Sequence, residues 1–205
     1  VHGDFTQLAS KYDIMNDAMS GGMHRLWKDR FVRRVKPQPG EAILDMAGGT
    51  GDIAKLLLER VGETGEIVIG DINKEMLSVG RDRLTDLGLL KGLSYVQLNA
   101  EALPFPDNSF DAITMAFGLR NVTDKLAALT SMHRILKVGG KVMVLEFSEV
   151  QAEWFKPIYD FHSFKVLTKL GELIAGDVNS YQYLAESIRK HPNKAGLKAL
   201  MEHAG

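Results

Sequence analysis

The chain has 205 residues, 45% of them hydrophobic, which is enough for one domain with a substantial buried core. Twenty-five basic residues against 26 acidic ones leave a net charge of -1, so no global field favours nucleic acid. The absence of cysteine excludes a disulfide framework and a thiolate metal site; with no signal-peptide pattern and no apolar run near the roughly 20 residues that span a bilayer, the chain is expected to be soluble or peripheral to a membrane.

Residues 5 to 36 read as helical, with Phe5, Leu8, Tyr12 and Met15 at helical spacing and a break at Ser20-Gly21-Gly22 before a second helix. That second piece carries Arg25, Lys28, Arg30, Arg33, Arg34 and Lys36 against only Asp29, with Trp27, Phe31 and Val35 along one stripe. Such a face suits an anionic membrane; the plainer reading is a packed helix whose basic side is solvated.

From Ala42 onward short apolar strands alternate with amphipathic helices, the mark of a mostly parallel sheet covered on both faces. Five strands are expected, at Ala42 to Met46, Glu66 to Asp71, Ser94 to Leu98, Asp111 to Ala116 and Lys141 to Phe147. Helices are expected at Asp52 to Arg60, at Lys74 to Leu87 behind the N-cap Asn73, and at Asp124 to Leu136 behind the N-cap Thr123. Right-handed crossovers then give an open, doubly wound α/β sheet. Further helices follow at Trp154 to Ala175, Tyr181 to Lys190 and Lys194 to His203. The whole reads as one domain in three parts: a helical cap over 1–40, a cofactor-binding core over 41–150, and a helical substrate or lid region over 151–205. The stop at Gly205, just after the pattern Leu197, Leu200, Met201, suggests that a strand-forming tail lies beyond.

The first strand runs into Asp45-Met46-Ala47-Gly48-Gly49-Thr50-Gly51-Asp52, a glycine loop feeding a helix, where the backbone can approach a ligand that a Cβ would keep away. Gly49 to Ala54 also satisfies a permissive dinucleotide fingerprint, with Asp71 at the distance where an acid holds a ribose. The neighbouring acids separate the two cofactor classes. A pyrophosphate on the helix N-terminus meets the carboxylates of Asp52 and Asp45, whereas S-adenosylmethionine has no phosphate and brings a sulfonium and an ammonium that carboxylates attract. On this reading Asp45 suits the methionine end, Asp71 accepts the ribose hydroxyls, and Ile72 and Met76 pack on the adenine, with Asn99 and Ala100 at its edge. For Asp52 the competing role is simple stabilisation of a helix N-terminus.

These blocks together resemble the class I methyltransferases, and several details are similar to the ubiquinone/menaquinone-biosynthesis C-methyltransferase family. The resemblance rests on Ala9 to Asp17, Met19-Ser20, His24 to Lys28, Leu44 to Asp52, Phe117-Gly118-Leu119-Arg120-Asn121-Val122, Leu145-Glu146-Phe147-Ser148 and Ser180 to Ile188. It covers nearly the whole chain and implies a Rossmann-like fold, cofactor contacts at Thr50, Asp71, Asn99 and Ala100, and no metal. A serine is common in the family at position 116; here Ala116 offers only backbone or packing.

The implied reaction is methyl transfer from S-adenosylmethionine to a ring carbon of a polyprenyl benzoquinol or demethylmenaquinol. Arg120 and Asn121, leaving the fourth strand, and Tyr12 from the N-terminal helix are the expected catalytic residues. Arg120 would stabilise a developing oxyanion, Asn121 orient a hydroxyl, and Tyr12 donate to the oxygen or wall the pocket; the alternatives are a surface salt bridge for Arg120 and a helix cap for Asn121. Phe155, Ile158, Phe161, Phe164, Val166 and Leu167 are candidates for a lid over the polyprenyl tail, or for plain packing on the sheet. A homodimer and a quinone-synthesis complex stay open as partners. The expected location is the bacterial cytoplasm, at or near the inner membrane, with the matrix face of the mitochondrial inner membrane as the alternative. Rival functions are methylation of another small molecule, a nicotinamide oxidoreductase, and a cofactor-binding scaffold of a quinone-synthesis complex.

Overall fold

The computed structural model describes residues 22–147, 183 and 186–205. Leu26–Glu146 and Ala199–Gly205 form one compact unit. Most of the other residues, including Tyr12 and the expected lid, lie outside the described ones.

The elements in chain order are α1 (His24–Val35), β1 (Ala42–Met46), α2 (Asp52–Val61), β2 (Glu66–Asp71), α3 (Lys74–Asp86), β3 (Leu93–Gln97), β4 (Phe110–Ala116), a 3-10 turn (Leu119–Asn121), α4 (Lys125–Ile135) and β5 (Leu136–Leu145), with a later helix at Lys194–Ala204. The five strands form one sheet in the order β3-β2-β1-β4-β5, parallel throughout. The order reverses between β1 and β4, the point at which an open α/β sheet leaves a crevice beyond its strand ends. The central strands carry near-continuous apolar runs because both faces are covered: Ile43, Leu44, Ile67, Ile69, Ala112 and Ile113 are fully buried. Against them pack Ile53, Ala54, Leu57 and Val61 of α2 and Leu77 and Leu84 of α3.

Helix α1 joins the same core through Phe31, Val32 and Val35, so the plainer reading of that segment holds for its apolar stripe. Its basic side is exposed at Arg25, Arg30, Arg33, Arg34 and Lys36. Lys28 is the exception and is buried. Among the described residues no helix is long and apolar enough to cross a membrane.

Several boundaries differ from expectation. Asp124, not Thr123, caps α4, because its carboxylate reaches the Ala127 N–H at 2.9 Å from an extended backbone. Strand β5 begins at Leu136, straight from the helix and not at Lys141, and the Gly139-Gly140 pair lies inside it as a bulge. Phe110 pairs with Leu136 and Ala112 with Lys141, so the intervening β5 residues loop out, with Gly139 at φ +82° and Val138 fully exposed. Strands β3 and β4 each start one residue earlier than expected. Asn73 caps α3 as anticipated, accepting from Met76 N at 3.0 Å.

Candidate functional site

The ends of β1, β2 and β4 converge on the switch point. Beyond β1 the chain turns through Ala47 at φ +53°, and beyond β4 through Phe117 at φ +59°. A left-handed conformation costs an L-residue roughly 1–2 kcal/mol, and such strain gathers where a loop must hold one shape against a ligand. The loop is pinned from several sides. Gly48 N–H donates to the Gly70 carbonyl at 3.2 Å, Gly51 N–H to the Gly48 carbonyl at 2.7 Å, and Gly49 N–H to Asp71 Oδ2 at 3.0 Å. Thr50 is buried.

Helix α3 presses on this loop through Gly80. A Cβ there would stand 2.2 Å from the Gly49 carbonyl oxygen and 3.2 Å from the Thr50 carbonyl carbon, so only glycine lets the helix lie against the loop's backbone. Met76, one turn earlier and half-buried, faces Gly49. Ile72 is exposed at the tip of β2.

The three acids have separate circumstances. Asp45 is buried at 1% exposure, and the Thr114 hydroxyl donates to its Oδ1 at 2.8 Å. Its Oδ2 is buried without a hydrogen-bond partner among the described residues. A Cβ at Gly48 would sit 3.0 Å from that oxygen and 2.7 Å from the Ile69 side chain, so the glycine leaves it uncovered. Burial above all, with Asp71 and Asp52 nearby, pushes the Asp45 carboxyl up to about 7 against the pull of the Thr114 hydroxyl and the Ala54 backbone. Burial also raises Asp71, although it accepts from the N–H groups of Asn73 at 2.9 Å and Gly49 at 3.0 Å.

Asp52 is a correction to the sequence reading. Its carboxylate is clasped by Lys28 at 2.6 Å and Arg83 at 2.7 Å. Burial would raise it, but the two cations hold it below the usual carboxylate range. Paired with two cations, Asp52 repels a pyrophosphate less than a bare carboxylate would, which weakens that part of the case against a dinucleotide. The open oxygen of Asp45 remains, and it fits a cationic ligand rather than a phosphate.

Of the other expected residues, Ala100 is buried, Asn99 is exposed with its side-chain oxygen on the Glu101 N–H at 3.0 Å, and Ala116 is half-buried at the end of β4. Past β4, Phe117 N–H donates to the Leu145 carbonyl at 2.7 Å. Arg120 is no surface ion: its side chain is 8% exposed and meets Glu146, itself 3% exposed, at 3.0 Å. Glu146 also accepts from the Arg120 backbone N–H at 3.1 Å, and the Arg120 guanidinium donates to the Phe117 carbonyl. Glu146 thus fastens the 3-10 turn to the end of β5. Asn121 is exposed on that turn, and the cap of α4 is Asp124.

Thr114, Gly80, Lys28, Arg83 and Glu146 were missed by the sequence reading. Two carried a signal: Thr114 is the polar residue in the apolar run Ala112 to Ala116, and Gly80 lies in a helix interior where glycine is unfavourable.

The profile of the ubiE/COQ5 methyltransferase family matches residues 1–205. A ubiquinone/menaquinone biosynthesis C-methyltransferase of Stenotrophomonas maltophilia is 68% identical over 201 residues, 98% of this chain and 79% of that protein. One of Xanthomonas oryzae pv. oryzae is 67% identical over the same shares. Among solved structures, a SAM-dependent methyltransferase from Aquifex aeolicus aligns with a TM-score of 0.56 at 24% identity, over 74% of this chain and 78% of that one. At that identity the likeness speaks for the fold alone.

Proposed function

Because the chain belongs to the ubiE/COQ5 methyltransferase family, we propose that it uses S-adenosylmethionine to methylate a ring carbon of a polyprenyl quinol in ubiquinone or menaquinone biosynthesis. The observation that carries this reading is the family match over the full chain, and the open, buried Oδ2 of Asp45 at the switch point agrees with it. The cofactor supplies an electrophilic methyl group on a sulfonium. This chain's residues bind and orient it: Asp45 answers the positive methionine end, Asp71 takes the ribose hydroxyls, and the backbone of Ala47, Gly48, Gly49, Thr50 and Gly51 shapes the cradle. Ile72, Met76, Asn99 and Ala100 surround the adenine side, and Ala116 contributes backbone or packing at the end of β4.

On the acceptor side, ring carbon becomes nucleophilic as a quinol hydroxyl loses its proton, and the protein must favour the phenolate and align the carbon. Arg120 supports that negative charge from the turn after β4 and Asn121 orients the hydroxyl, with Tyr12 as the third catalytic residue. The exposed Arg30, Arg33 and Arg34 of α1 suit the anionic surface of the cytoplasmic membrane, where a polyprenyl tail resides.

The test is methyl transfer from labelled S-adenosylmethionine to a demethylated benzoquinol and a demethylmenaquinol, each reduced and oxidised, in anionic and neutral vesicles. Product is expected only from reduced acceptor and faster on anionic vesicles. Cofactor binding with no product from either acceptor would refute quinol methylation, and equal rates on both vesicles would refute the membrane placement.

A further inference from the structure

We propose that Thr114 is a positioning residue that sets the charge of Asp45, and that binding of the cationic cofactor draws Asp45 into its ionised form with release of a proton to solvent. The inference rests on the cofactor site proposed at the switch point. Asp45 and Thr114 are paired across β1 and β4, at 1% and 0% exposure, and the Thr114 hydroxyl is the side-chain donor to the carboxylate. One oxygen is therefore satisfied by the neighbouring strand, while Oδ2 is buried beside Gly48 without a hydrogen-bond partner among the described residues; the Ala54 backbone, like Thr114, favours the charged form. A desolvated carboxylate with one unsatisfied oxygen favours its protonated state.

The charged groups around it reinforce this. From the end of β2 comes the carboxylate of Asp71 and from the first turn of α2 that of Asp52, both of which disfavour a second negative charge. Lys28 of α1 and Arg83 of α3 are engaged on Asp52, and β4 contributes the uncharged Thr114 hydroxyl. Burial and these neighbours push Asp45 up to about 7, so a share of it carries a proton near neutral pH. A ligand cation set against Oδ2 favours the charged form. The O–H bond of the acid breaks, its electrons stay on Oδ2, and the proton leaves to buffer. By linkage, cofactor affinity must then fall with falling pH. Thr114 opposes that loss, since its hydrogen bond favours the carboxylate.

The test is calorimetric titration of the full chain with S-adenosylmethionine between pH 6 and 9, in two buffers of different ionisation heat. The wild type is expected to release a fraction of a proton near pH 7 and to lose affinity up to about tenfold per pH unit on the acid side. The cofactor's own ammonium, near pH 8, produces an alkaline limb, so Asp45→Asn serves as reference: it keeps the alkaline limb and loses both the acid limb and the proton release. Thr114→Val should move the acid limb to higher pH, with its deficit concentrated below pH 8 and shrinking at pH 9, and Thr114→Ser should restore the wild-type profile. An equal deficit for Thr114→Val at every pH would mean a merely structural threonine and overturn its assigned role. Should that variant not fold, the proton count of wild type against Asp45→Asn decides the linkage. Tight binding without proton release overturns the linkage alone, whereas no binding by the wild type at any pH overturns the cofactor reading and the proposal with it.

Discussion

Replacing Gly80 by alanine should cost about 100-fold in cofactor affinity and lower the melting temperature, the reverse of what the same change does in most helices. In an ordinary helix interior alanine is favoured over glycine by roughly 1 kcal/mol. Here the added Cβ would stand 2.2 Å from a backbone oxygen of the glycine loop. That neighbour cannot rotate away as a side-chain tip can, so α3 or the loop must shift by about 1 Å, a displacement of the size that costs 10²-fold in rate where geometry decides and that here falls on the backbone shaping the cofactor cradle. Thermal unfolding and calorimetric titration with S-adenosylhomocysteine read the two effects separately. A raised melting temperature with unchanged affinity would show that the helix does not constrain the loop.

Removal of the Glu146 carboxylate should be strongly destabilising. Glu146→Leu takes the carboxylate from a guanidinium that is 8% exposed, and truncating one partner of a buried pair costs about 3–5 kcal/mol. It also releases the backbone of the 3-10 turn, since Glu146 accepts from the Arg120 N–H. The double variant Arg120→Met, Glu146→Leu removes both charges and should recover most of the stability, as apolar replacements of buried pairs often do. If Arg120 supports a developing phenolate, that variant should remain about 10²- to 10³-fold low in kcat, the scale of one lost oxyanion contact, with cofactor affinity near that of the wild type. Recovery of both stability and kcat would confine Arg120 to holding the turn.

The parts of this molecule that are local in sequence were legible in it. Strands β1 and β2 fall at their expected bounds because apolar runs between turn residues define them, and the glycine loop at the end of β1 marks the crevice. The bulge in β5 was not legible, since a glycine pair reads equally as a turn before a strand or an outward loop within one; only pairing with β4 decides. Asp52 was misread for a related reason. Its partners Lys28 and Arg83 lie far from it along the chain and meet it only when α1, α2 and α3 assemble. Thr114 and Gly80 belong to the same class, their meaning fixed by the strand or loop opposite.

The clasp on Asp52 joins parts of the chain that need not have moved together. Lys28 of α1 and Arg83 of α3 grip the first turn of α2, the turn that springs from the glycine loop. Fraying of α1 would take away one of its two cations together with the core contacts of Phe31, Val32 and Val35. The amides of α1 and of the loop should therefore exchange with deuterium through a shared opening event, as one cooperative unit. Saturating cofactor should slow exchange in both by a common factor, although α1 need not touch the ligand; slowing confined to the loop would show that the clasp does not couple them.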